Sequence, residues 1–132
     1  MKYPTIHFAV SLHHRALSVP ADRKTYNETQ LGYLAAALEH IQNDVYYPTF
    51  LDKLAHLLFA CIKFHPFFDG NKRTAICLAL AFIILNEPAL PIDDFCERME
   101  DVVVAVAANL LSEEALKDRL RGILFPPPAG AR

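Results

Sequence analysis

The residues best suited to chemistry stand together in one short segment, His65-Pro-Phe-Phe-Asp-Gly-Asn-Lys-Arg73. An ordinary helix start asks for one capping side chain. This one offers a His, an Asp, an Asn, a Lys and an Arg just before a long apolar stretch. The first turn of a helix leaves backbone N–H groups free, and its dipole favours negative charge there. Gly70 has no Cβ to keep a ligand from the backbone, and Asn71, Lys72 and Arg73 add donors at the same point. That combination suits an anion. Asp69 does not, unless a cation joins the site, and Mg²⁺ commonly takes one carboxylate together with phosphate oxygens. The imidazole of His65 is the side chain here that can act as a general base near neutral pH. A phosphate cradle, a metal carboxylate and a base together imply transfer from a nucleotide to a hydroxyl.

Each residue also has a plain structural reading. Asp69-Gly70 is a common turn dipeptide, and Lys72 with Arg73 could be a solvated helix start. His65 could be a turn histidine, and Phe67 and Phe68 are most simply core. His13 lies on an apolar stripe and reads as a packed or partly exposed histidine. Pairing it with His14 on zinc meets the difficulty that adjacent helical residues do not face each other. His40 and His56 read as solvated-face residues. Asp93, Asp94, Glu97, Glu100 and Asp101 read as an acidic solvated face that could also meet a basic partner.

The elements that must position this segment are helices. Prolines punctuate the chain, and the stretches between them carry a helical apolar period. The first helix is predicted over about 5–17, with Ile6, Ala9, Val10 and Leu17 inward. Asn27 and Gln30 look like a capping pair for a second, to about residue 42. Thr49 and Asp52 can cap a third, to about residue 64, with Leu51, Leu54, Ala55, Leu58 and Ile62 buried. It leaves Asp52, His56 and Lys63 on the wet side. A fourth, over 71–86, is apolar nearly all round and should be central to the bundle. A fifth is predicted over about 93–110, and Ser112 caps a sixth to about residue 123. Residues 125–132 read as a loose Pro-rich tail. The fold class is therefore all-α, a compact bundle of about six helices whose active loop feeds the buried fourth one.

Composition sets outer limits. The chain has 132 residues, 53% of them hydrophobic, 21% charged, with a formal net charge of −2. That is the length of a single domain able to bury a real core, which excludes disordered and collagen-like classes. A near-neutral charge argues against direct nucleic-acid binding. Cys61, Cys77 and Cys96 make no disulfide framework and suit buried thiols in a reducing cytoplasm. No targeting segment is expected at the start, where His7, Ser11, His13 and His14 interrupt any apolar run. The uncharged run 74–85 is far short of the ~20 residues of a membrane span.

The segment HPFFDGNKR resembles the Fic/Doc family, whose core motif reads H-x-F-x-(D/E)-(G/A)-N-(G/K)-R. Every fixed position is filled, the match continues into Thr74 and Ala75, and weaker similarity runs upstream through YYPTFLDKLAHLLFA and downstream to Asn86. The resemblance implies an all-α bundle. It makes His65 the base that takes the proton of a target hydroxyl, with Arg73 pairing to a phosphate as the other catalytic residue. Phe67 becomes a core anchor, Asp69 the Mg²⁺ ligand, and Gly70, Asn71, Lys72 and Arg73 the nucleotide-phosphate cradle. Tyr46 and Tyr47 would belong to a flap holding the target against the site, or else to an aromatic-capped turn.

Two positions bear on the branch. AMP-transferring members usually carry Gly between the Asn and the Arg, and a second Arg three residues on; here stand Lys72 and Ile76. Both resemble the Doc (death on curing) branch, toxins that move a phosphate from ATP to a translation elongation factor. Gly70 departs toward the AMP-transferring branch, since some Doc proteins have Ala there. The resemblance thus implies a cytoplasmic, Mg²⁺-dependent phosphotransferase toxin that inhibits translation, with AMPylation by the same residues as the alternative and a non-catalytic partner-binding bundle after that. No Ser or Thr has a Glu four places on, as the family's inhibitory helix requires. Restraint is then expected from a separate Phd-like antitoxin whose tail folds on the toxin.

Overall fold

The computed structural model describes residues 1–128, and among these it contains six helices: α1 Ile6–Ala16, α2 Glu28–His40, α3 Phe50–Lys63, α4 Asn71–Asn86, α5 Phe95–Ala107 and α6 Glu113–Leu124. The expected caps do the starting. Thr5, Asn27 and Ser112 each accept a backbone N–H from the first turn, and Thr49 with Asp52 forms a reciprocal capping box. The second and fifth helices are shorter than their apolar periods imply. Chain-reversing ends stop two of the helices. At α5 Asn109 takes a positive φ of 63°, so that Leu110 N–H reaches back to the Ala105 carbonyl at 2.8 Å. Ser18, at φ 53°, does the same for α1 through Val19 N–H and His14 O at 2.9 Å.

The core lies between α3 and α4. α3 touches α2, α4, α5 and α6, and α4 touches α1, α3 and α5. α3 is therefore buried beyond its expected stripe: Lys53, Leu57, Ala60 and Cys61 are enclosed as well as Leu54, Ala55, Leu58 and Ile62. Lys53 is the unexpected member. Its ammonium donates to the Ile41 carbonyl at the end of α2 and to Asp44 at 2.8 Å. That satisfies an orphan carbonyl of the kind every helix end leaves. His56, expected in solvent, is half-buried between Tyr47 and Glu113, because α6 covers that side of α3. His40 is exposed as expected. Of the cysteines, only Cys61 is fully buried, and Cys96 at the start of α5 is exposed.

Among the described residues no helix is long and apolar enough to cross a membrane. Of the expected Pro-rich tail, residues 126–128 are exposed and outside any helix; residues 129–132 lie outside the described residues.

Candidate active site

His65 stands where α3 ends. Phe64 closes the helix and His65 follows at φ 50°, a left-handed conformation uncommon for a residue with a Cβ. Pro66 has no N–H and cannot continue the helix. The imidazole is thus turned out of the helix and left exposed at the mouth of the loop.

The loop is then fastened at three places. Asn71 is buried, and its side chain spans Phe67: Oδ1 accepts the Phe67 N–H at 2.9 Å and Nδ2 donates to the Phe67 carbonyl at 2.8 Å. Its amide is therefore committed to the loop, and only its backbone N–H is left for an anion. This corrects the expectation that Asn71 lines the cradle with its side chain. The second fastening is a short antiparallel bridge between Tyr26 and Phe67, in which Asn27 N–H donates to Pro66 O at 3.0 Å and Phe68 N–H to Thr25 O at 2.9 Å. Extended backbone sends successive side chains to opposite faces. Phe67 accordingly enters the core with no exposure, while Phe68, read as core, is 65% exposed.

The third fastening is His13, whose part in the site its sequence position did not reveal. Its ring is buried and stacks on Phe67 with centroids 3.9 Å apart and planes 8° from parallel. Nε2–H donates to the Asp69 carbonyl at 2.8 Å, and the Thr25 hydroxyl donates to Nδ1 at 3.1 Å. This arrangement uses the neutral ring. Burial, and next to it the neighbouring His14, hold its pKa below the ordinary value, against the pull of the Asp69 carbonyl. His14 turns elsewhere, its two ring nitrogens lying 2.8 Å from Val10 O and 2.7 Å from Arg23 O. The one available sequence clue was a histidine on an otherwise apolar stripe.

Gly70 is needed for a reason other than ligand access. It is the N-cap of α4 at φ 76°, and a Cβ there would lie 2.7 Å from Leu17 Cδ1. The vacant position faces the end of α1 rather than a ligand. Beyond it the first intrahelical bond is Thr74 N–H to Gly70 O at 2.9 Å. The N–H groups of Asn71, Lys72 and Arg73 therefore precede the ladder and have no acceptor within the helix. Asp69 is exposed, with Oδ1 accepting the Gly70 N–H at 2.8 Å. Lys72 and Arg73 are exposed, and both line a cleft of about 390 Å³ between α4 and α5. The structure thus places Asp69, Gly70, Lys72, Arg73 and the Asn71 backbone at one helix start, with His65 on the loop that leads into it.

It does not bring Tyr46 and Tyr47 there. They precede α3, whose 14 residues put ~20 Å between its two ends. Tyr47 lies against His56, its ring tilted 38° from the imidazole, and faces α6, so the flap reading of this pair is not supported by its position. The segment beside the active loop is 25–27 instead.

An exposed imidazole, unbonded helix N–H groups, two cations and a carboxylate thus share one nine-residue stretch of an all-α scaffold. The family model described as Fic/DOC family matches residues 3–83, and the chain belongs to that family. It is 36% identical over 103 residues to Toxin Doc of Mycolicibacterium smegmatis, a match covering 75% of this chain and 79% of that protein.

Proposed function

We propose that the protein is a Doc-type toxin that transfers the terminal phosphate of ATP to a hydroxyl of a translation elongation factor in the cytoplasm, and that a Phd-like antitoxin restrains it. The observation that carries the reading is the exposed His65, turned out of α3 at a positive φ, on the loop that leads into the free N–H groups of Asn71, Lys72 and Arg73. In the reaction His65 removes the proton of the target hydroxyl. The oxygen attacks the γ-phosphorus, the bond to the β–γ bridging oxygen breaks, and ADP leaves. The helix N-terminus, Lys72 and Arg73 stabilise the charge on the phosphate oxygens. One exposed carboxylate at the cradle fits Mg²⁺ bound mainly through phosphate; Asp69 would hold it, and the ion would neutralise charge between the phosphates.

Ile76 favours phosphate over AMP transfer. The position where the AMP-transferring branch carries its second Arg is buried here by hydrocarbon, so no guanidinium reaches a further phosphate. Gly70, the feature that leaned the other way, is accounted for by Leu17. The likeness to a protein named Toxin Doc supports the toxin reading.

The test is transfer to translation factors from ATP labelled at the α or the γ position. Label arriving from γ alone, and lost with His65→Ala, is expected. Label from α alone would replace the phosphotransferase by AMPylation. No transfer from either, with His65→Ala as toxic in cells as the parent chain, would leave a partner-binding bundle.

A further inference from the structure

Folding brings together two cysteines that stand far apart in the sequence. Cys77 on α4 and Cys96 on α5 line the same cleft between these helices. Only residues 87–94 connect α4 to α5, so the two pack antiparallel. Arg73 and Glu100 line the cleft too, each one helical turn from the cysteine of its own helix. No ion pair joins Arg73 to Glu100 among the described residues. The guanidinium makes one long contact instead, from Nη1 to the Ala16 carbonyl at 3.4 Å. Cys96 is exposed and open to a dissolved oxidant, whereas Cys77 is half-buried. Burial, and next to it the nearby Cys96 sulfur, push the Cys77 thiol up, against the pull of Arg73.

We propose that Cys77 and Cys96 are a redox-sensitive pair: a hydroperoxide joins them into a disulfide that ties α4 to α5 and draws Glu100 onto Arg73. Sulfur attacks a peroxide as the thiolate. The exposed Cys96 sulfur breaks the O–O bond and keeps one oxygen as a sulfenic acid, while the other leaves as water or an alcohol. The sulfenic acid carries no charge, so its part in pushing up the Cys77 thiol is gone. The Cys77 sulfur then forms the S–S bond and displaces that oxygen as water. Two electrons and two protons pass from the thiols to the peroxide. The pairing does not depend on the proposed transfer. Its consequence rests on the reading of Arg73 as a phosphate ligand: paired with Glu100, the guanidinium is withdrawn from the phosphates until a thiol reductant opens the bridge. Transient bridges of this kind serve as sensors in reducing compartments.

The full chain is treated with hydrogen peroxide and its peptides are mapped without reduction. A linkage between the Cys77 and Cys96 peptides, within one chain and reversed by dithiothreitol, is expected. Cys61 is enclosed and burial pushes its thiol up to about 12, so it should stay free. Dimers joined through Cys96, or Cys96 oxidised to the sulfinic acid with Cys77 free, would overturn the pair. The consequence is read by titrating Mg²⁺ with inorganic tripolyphosphate calorimetrically into the reduced and oxidised chains. The oxidised chain should bind it at least about threefold more weakly. The Cys96→Ser variant, at an exposed position and treated the same way, should bind it as the reduced parent does. Glu100→Gln should keep the disulfide and lose most of the weakening. A linkage that leaves the affinity unchanged would overturn the switch. A reduced chain that binds no tripolyphosphate would overturn the cradle reading instead, on which the disulfide map does not depend.

Discussion

Replacing His13 should loosen the active loop from below, without touching any group that faces substrate. Its ring supplies a stack on Phe67, a hydrogen bond to the Asp69 carbonyl and an acceptor for Thr25. The stack is worth about 0.5–1.5 kcal/mol beyond its buried area, and each hydrogen bond about 0.5–1.5 kcal/mol net. His13→Ala also leaves a void beneath Phe67, so a loss of about 2–4 kcal/mol is expected, a large share of the ~5–15 kcal/mol of a typical domain. His13→Phe keeps the ring and the volume and should lose only about 1–3 kcal/mol, from the unpaired Thr25 hydroxyl and Asp69 carbonyl. The two variants thus separate stacking from hydrogen bonding.

The same residue predicts a pH dependence. Burial makes the His13 ring harder to protonate in the folded chain than in the unfolded one, so on acidification the unfolded chain takes up more protons. Its contribution to stability is therefore complete above the ordinary value of 6.5 and declines as pH falls through that value toward the depressed folded one. Urea unfolding followed by circular dichroism, from about pH 7.5 down to about pH 5, across the range where imidazole titrates, measures both effects. The parent chain should lose stability more steeply over that range than His13→Phe. A His13→Ala variant within about 0.5 kcal/mol of the parent, or identical pH slopes for parent and His13→Phe, would refute the reasoning.

Three further outcomes follow from the site. Gly70→Ala must place a Cβ at positive φ and 2.7 Å from Leu17, costing about 2–4 kcal/mol in thermal or urea unfolding; Leu17→Ala in the same chain should recover the steric part, which a double-mutant cycle reads directly. Asn71→Ala strands the buried N–H and carbonyl of Phe67, for an expected loss of about 2–5 kcal/mol, and hydrogen exchange should report faster exchange at the Phe67 amide. Lys72→Ala should weaken tripolyphosphate binding, and more so at low ionic strength, where an exposed cation acts furthest.

Helix starts were legible because they are local. Thr5, Asn27, Thr49 and Ser112 each bond to an N–H three residues away, and nothing distant is needed for that. The buried stripes were legible for the same reason, since a period is a property of one helix. Extra burial on α3 was not: Lys53 and His56 are enclosed by what α2 and α6 bring to them. The motif announced its residue types but not how each is used. Asn71 reads as one more phosphate donor until Phe67 is seen to occupy its amide.

Sequence alone determined the six-helix pattern, the segment whose residue types suit chemistry, and the resemblance that proposes their roles. Tertiary structure decided what holds that segment still. His13, Thr25 and Leu17 lie 40 or more residues before the loop, and packing of α1 against α4 brings them to it. It also decided which side of the helix start opens into a cleft and that Tyr46 and Tyr47 lie at the far end of α3. A side chain's type and spacing are written in one stretch of chain. Whether its hydrogen bonds remain free for a ligand depends on neighbours that only folding supplies.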